Sequence, residues 1–265
     1  MHPVLMLRLT RLLALVFCVL QGLLLAGSHR LLCRLGLSSP GAIHAYARLW
    51  FRSLLWVLNV RVRLDAGVLE HRGLIAANHT SWLDIPVLGA VLPTYFLSKA
   101  EVRDMPLVGW LADSGGTLFI HRGRHEQEEV RDRMQSRLGD GHFLTLFPEG
   151  TTGRGDRLRP FHPRLFAAAI ETGVPVVPIA IHYRSDDPQD PKIPFEQEAF
   201  FTNIWRVLGI WRTDVEVRVL PALESAGMPR RALADQARSA IIRSLRLPSE
   251  PRVPDRPAPT PESLT

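Results

Sequence analysis

The sequence predicts an α/β fold: a sheet with helices between its strands, behind a helical N-terminal segment. Three observations predict it. Short apolar or alternating runs read as strands recur from Val60 to Val219. Segments with apolar residues at helical spacing fall between them. The first 58 residues are almost wholly apolar, aromatic or basic, unlike the remainder of the chain. A chain of 265 residues with 46% hydrophobic content suffices for one α/β domain plus extra helices.

Leu12 to Gly27 is apolar apart from Gln21. Sixteen helical residues span about 24 Å, short of the roughly 30 Å hydrocarbon core. Extending back to Val4 gives the length, but Arg8 and Arg11 must then snorkel to the surface. A cleaved signal peptide is the rival reading, with Leu25-Ala26-Gly27 only near a cleavage pattern. Residues 41–58 form a second candidate helix, with Trp50, Phe51, Leu54, Leu55 and Trp56 among Arg48 and Arg52. That composition suits a membrane interface, and an ordinary packing helix is the plainer alternative. A two-helix N-terminal membrane module is the favoured reading, which sets domains at 1–58, 59–247 and 248–265.

In the second domain Val60, Val62 and Leu64 alternate with Arg61 and Arg63, as in a half-buried strand. Leu74 to Ala77, Thr117 to Ile120 and Phe143 to Phe147 read as buried strands. Val174 to Ile181 reads as another, and Pro178 suggests a bulge or an edge position. Val215, Val217 and Val219 alternate again. Helical patterns occupy 125–138, 164–172 and 232–245, and Asp84-Ile85-Pro86 reads as a helix start. From Pro248 onward prolines recur, and the tail has too little apolar content to build a core.

The formal net charge is +6, and all but two of the 32 lysines and arginines are arginine, the exceptions being Lys99 and Lys192. A basic surface suits nucleic acid, an anionic membrane or a phosphorylated substrate, and arginine forks onto phosphate. A GC-rich genome gives the same bias. Cys18 and Cys33 show no metal-ligand spacing, which points to a reducing compartment and no metal.

The chemistry lies in four short stretches. His79-Thr80-Ser81-Trp82-Leu83-Asp84 places a histidine after a strand and an aspartate at a helix start, five positions on. The two can meet across the turn, and an imidazole held by a carboxylate is a general base for a hydroxyl proton. Alone, the pair is equally a packing residue and a helix cap. Gly116 to Gly123 delivers Arg122 from a strand end beside glycine, where a guanidinium can clamp phosphate or simply be solvated. Phe147-Pro148-Glu149-Gly150-Thr151-Thr152-Gly153 is a tight loop after a strand, presenting Glu149 and two hydroxyls. Val174-Pro175-Val176-Val177-Pro178-Ile179 carries no chemical group and reads as core or the wall of an acyl-chain site.

In order and spacing, these stretches resemble the four blocks of the membrane-bound glycerolipid acyltransferases, whose type members are the 1-acyl-sn-glycerol-3-phosphate acyltransferases. The resemblance covers roughly residues 60–225 and includes Ser98-Lys99-Ala100-Glu101 with Pro106 and Gly109. It implies a mixed sheet flanked by helices, preceded by an N-terminal helix pair resting in one leaflet. It implies His79 as general base and Asp84 as its anionic partner. Arg122 and Glu149 match the family residues that hold the acceptor head group, with Gly150 and Thr151 in the same loop. The expected reaction moves an acyl group from acyl-coenzyme A or acyl-carrier protein to the hydroxyl of 1-acyl-sn-glycerol-3-phosphate. It needs no cofactor or metal, and it belongs at the cytoplasmic face of a membrane because both donors are cytosolic.

Departures from the pattern bear on the acceptor. His121 stands where the second block often has an acid, Thr152 where the third often has arginine, and Pro160 to Arg164 replaces the usual P-F-K-x-G. The F-P-E-G-T-T form resembles members that acylate other lysolipids, including lyso-ornithine lipid, while Arg154, Arg157 and Arg159 lie near enough to replace a lost cation. Two rival classes remain. A serine hydrolase at Ser114 lacks a preceding strand. A non-catalytic basic membrane or nucleic-acid binder accounts for the arginines but not for the ordered motifs.

Overall fold

The computed structural model describes residues 3–65, 72–120, 124–184, 193–195 and 199–248. Helix α1 (Pro3–Arg34) leads through a short 3-10 turn to α2 (Ile43–Val57) and β1 (Val60–Asp65). Next come β2 (Leu74–Ala77), α3 (Asp84–Val91), β3 (Thr94–Lys99), α4 (Ala100–Arg103), α5 (Val108–Ser114) and β4 (Leu118–Ile120). The second half runs α6 (Arg124–Gly139), β5 (Phe143–Leu146), α7 (Ala167–Thr172), β6 (Val176–Arg184), α8 (Phe200–Leu208), β7 (Thr213–Val219) and α9 (Arg230–Leu245). The seven strands form one mixed sheet in the order β1-β7-β6-β2-β5-β3-β4. Every neighbouring pair is parallel except β6 with β7. Fully buried Leu74, Ala76, Leu144 and Leu146 face a core with Phe166, Leu233 and Ile241, while Ile75, Ala77, Ile179 and Val217 face the other core with Leu83 and Leu88. Alternate residues of one strand thus serve both layers, as a doubly covered sheet requires.

Pro178 occupies neither an edge nor a bulge. It lies within β6, between β2 and β7, in register with Ala76. Its carbonyl accepts Leu220 N–H at 3.0 Å, so its nitrogen faces the same side, where the β7 ladder has ended at Ile179↔Val219. The missing N–H therefore removes no bond to β2. Strand β3 is not legible in the sequence: Thr94 to Leu97 are all buried, so no alternation marks it. Ser114 ends α5 and its hydroxyl bonds Trp110 O at 2.7 Å, so no strand-turn-helix nucleophile elbow exists there.

Helix α1 turns one of its arginines inward. Arg11 is buried and donates to the carbonyls of Leu208 (3.2 Å), Ile210 and Trp211 (2.9 Å), the last turn of α8 and the loop after it. Near the other end Arg30 pairs with Asp113 of α5 at 2.8 Å. The outward face carries Leu9, Leu13, Val16, Phe17, Leu20 and Leu24, all exposed. The helix is long and apolar enough to cross a membrane, yet it is fastened to the domain at both ends. Helix α2 is amphipathic: Trp50 packs on Gly22 of α1 and Phe51 on Gly89 of α3, while Leu49, Arg52 and Trp56 are exposed, Trp56 at 81%.

A Cβ on Gly22 would lie 2.6 Å from Trp50 Nε1, the atom that donates to Cys18 O at 2.8 Å. Gly22→Leu is therefore expected to open the α1–α2 crossing. The cost is about 1–3 kcal/mol, as for overpacking elsewhere, and thermal unfolding of the purified protein in detergent measures it. A melting temperature equal to the parent's would show that the crossing adjusts freely.

Candidate active site

Strands β2 and β5 are neighbours and parallel, with Ala76 opposite Leu146. The chain leaving each therefore emerges at the same sheet end, where open α/β sheets bind ligands. This brings residues 78–84 and 147–153 together. Asn78, buried, pairs through its carboxamide with both main-chain groups of Ile181 (2.9 and 2.7 Å), extending the β2–β6 contact by one residue. The chain then turns, and α3 begins at Asp84.

His79 Nδ1 lies 2.8 Å from Asp84 Oδ2. The same oxygen accepts the N–H groups of Thr80 (2.7 Å) and Ser81 (2.9 Å), and Oδ1 accepts the Tyr183 hydroxyl at 2.7 Å. Asp84 has no exposed side-chain surface, whereas the imidazole is 17% exposed. An anion can be buried here because four donors surround it. Burial, and next the charge and hydrogen bond of Asp84, push the Tyr183 phenol well above its ordinary pKa, so it remains a donor. A carboxylate fixed on Nδ1–H leaves the lone pair on Nε2.

The Phe147–Gly153 loop grips His79 in three ways. Its Phe147 ring stacks on the imidazole, centroids 4.0 Å apart and planes 17° apart. Glu149 Oε1 accepts His79 N–H at 2.8 Å. Gly153 N–H donates to His79 O at 2.9 Å. The other Glu149 oxygen accepts Arg159 N–H at 3.0 Å. Burial raises the Glu149 carboxyl above its usual range, and the two main-chain donors pull against that. Glu149 is thus a tie between loops, only 5% exposed, rather than the presented group that its sequence context suggests. Gly150 closes the turn to Phe147 O at 3.1 Å with φ +70°; a Cβ there would come within 3.0 Å of the His162 ring, so glycine is required. Thr151 and Thr152 are half-buried beside it. Arg122 lies outside the described residues. Strand β4, which precedes it, runs parallel to β3. Among the described residues no cluster of His, Cys, Asp or Glu is placed to hold a metal ion.

Tyr183 has no signal in the sequence: it lies 99 positions from Asp84 and only the β6 pairing brings it there. Tyr183→Phe leaves one Asp84 oxygen without its donor. The expected cost is about 1–3 kcal/mol of stability, with a fall in kcat and an unchanged acceptor KM. A variant that changes KM alone would place Tyr183 in substrate binding.

The acyltransferase family model matches residues 59–182. A lyso-ornithine lipid O-acyltransferase of Pseudomonas aeruginosa is 44% identical over 195 residues, covering 73% of this chain and 76% of that protein. A protein of the same name from Rhodobacter capsulatus is 36% identical, covering 71% of each chain. The 1-acyl-sn-glycerol-3-phosphate acyltransferase of Neisseria meningitidis is 30% identical, covering 72% of this chain and 76% of that one. The crystal structure of the 1-acyl-sn-glycerophosphate acyltransferase PlsC from Thermotoga maritima has the same fold, with TM-score 0.64 at 21% identity, over 91% of this chain and 94% of that one. With its ordered motifs and these matches, the chain belongs to the 1-acyl-sn-glycerol-3-phosphate acyltransferase family and is an acyltransferase.

Proposed function

We propose that the protein is a membrane-surface lysolipid O-acyltransferase in which His79 is the general base, with lyso-ornithine lipid as first acceptor. The observation that carries the reaction is the His79–Asp84 pair, buried on one side and held by the Phe147–Gly153 loop. Nε2 takes the acceptor hydroxyl proton as that oxygen attacks the thioester carbonyl of acyl-coenzyme A or acyl-carrier protein. The C–S bond breaks, and the imidazolium returns the proton to the departing thiolate. Asp84 stabilises the imidazolium while it exists. The step uses only these groups and the two substrates.

The acceptor ranking rests on the relatives: those named for lyso-ornithine lipid match at 44% and 36%, against 30% for one named for 1-acyl-sn-glycerol-3-phosphate. Thr152 in place of the usual arginine agrees, since one phosphate-binding cation is missing from the loop. 1-Acyl-sn-glycerol-3-phosphate, first on the sequence motifs alone, is the second reading, with Arg122 as its head-group cation. The outward apolar face of α1 supports a helix lying in one leaflet, at the cytoplasmic face where the donors are. Acyl transfer to a panel of lysolipids tests the reading. Lyso-ornithine lipid is expected to outrank lysophosphatidate, and both to outrank monoacylglycerol. A preference for lysophosphatidate would reverse the order, and transfer to none would remove the lysolipid reading.

A further inference from the structure

Helix α8 has two faces with different partners. Its inner face grips the catalytic turn: Asn203, with no exposed surface, accepts the Trp82 indole N–H at 2.8 Å, between His79 and Asp84 in sequence. Phe200 packs edge-on against the Trp82 ring at 5.9 Å. Its outer face presents Phe201, 79% exposed, and Trp205, and Trp211 just beyond is 75% exposed. The same helix is fastened to α1, where Arg11 caps its last turn and the Arg8 guanidinium lies 5.2 Å from the Trp205 ring centre. Exposed aromatics of this size are uncommon on a water-facing helix, and Trp is favoured at the membrane interface.

We infer that α8 and Trp211 form a second lipid-contact patch, on a helix fastened to α1, that seats the His79 turn at the bilayer surface. The occupant is the interfacial region of a lipid bilayer, because Arg8 and Arg11 fasten α8 to α1, the helix whose outward face exposes Leu9, Leu13, Phe17 and Leu20. Phe201 and Trp211 insert, and Asn203 and Trp82 carry that seating to the turn. An acceptor whose hydroxyl lies just below the head groups then meets His79 without leaving the membrane. The inference rests on the lysolipid reading for its purpose, not for its geometry.

Two measurements on the full-length protein test it. The first compares the parent with Trp211→Phe in phosphatidylcholine–phosphatidylglycerol vesicles, with plain or brominated acyl chains. The fluorescence lost with Trp211 is expected to be strongly quenched by the brominated chains; an unquenched Trp211 component overturns the patch. The second follows acyl transfer by the Phe201→Ser/Trp211→Ser variant. Turnover on vesicle-borne acceptor is expected to fall about tenfold, less than full burial of two aromatic side chains supplies, with turnover in detergent mixed micelles nearly unchanged. Equal losses in both formats would make the patch structural. Loss of a dimer with unchanged vesicle turnover would make a second copy the occupant. If the parent transfers to no lysolipid in either format the proposed function fails, while the quenching result still decides the patch.

Discussion

His79→Ala is expected to abolish acyl transfer while leaving the fold intact. The loss for a positioned general base is on the order of 10²–10⁴-fold in turnover. The fold survives because the loop holds residue 79 mainly by its main chain: Glu149 accepts its N–H and Gly153 donates to its carbonyl, and neither bond needs the imidazole. The stack on Phe147 is lost, which affects a partly exposed ring. Kinetics on the purified variant, with circular dichroism to confirm the fold, check this. A folded variant with near-normal turnover would remove the general-base role.

Asp84→Asn is expected to separate charge from geometry. The carboxamide has one acceptor oxygen and one NH₂. Three donors, His79 Nδ1–H and the N–H groups of Thr80 and Ser81, converge on the Oδ2 side, and a single hydroxyl faces the other. The amide carbonyl therefore takes the three-donor side and its NH₂ turns to the Tyr183 oxygen. The imidazole keeps its tautomer and loses only its anion. The expected fall is about 10²–10³-fold, as for removal of one electrostatic stabiliser. It is smaller than the roughly 10⁴-fold loss where a replacement amide imposes the wrong tautomer. Asp84→Ala instead leaves buried N–H groups without an acceptor, at about 1–3 kcal/mol each, and is expected to unfold at a clearly lower temperature than Asp84→Asn. Equal stability of the two variants would contradict the hub role of this carboxylate.

The parts of this site that are legible in the sequence are those within one turn. His79 and Asp84 are five positions apart, after a buried strand and at a helix start, so their meeting follows from local geometry. The Phe147–Gly153 loop is legible as a motif, but its grip on His79 is not, because it depends on β2 and β5 being neighbours. Glu149 reads as a presented acid in a polar loop; only the fold shows that two main-chain donors enclose it. Tyr183 and Asn203 reach the turn from 99 and 121 positions away and carry no pattern of their own. The alternating strands β1 and β7 and the helices α6 and α9 are legible because each has one wet face. Strand β3 and the interior Pro178 are not, because burial on both faces erases alternation and a missing N–H shows its consequence only in register. The apolar N-terminus is legible as a helix, but not its orientation, with Arg11 turned inward to α8 and leucines outward.

In the proposed reaction the acceptor hydroxyl is the nucleophile and His79 only its base. Intact-mass analysis of the purified protein after incubation with acyl-coenzyme A alone tests this most directly. The protein mass is expected to stay unmodified, with free thiol released only when a lysolipid is added. A stoichiometric acyl adduct formed without acceptor, on His79, Thr80, Ser81 or Thr151, would contradict it and make the enzyme itself the first acceptor.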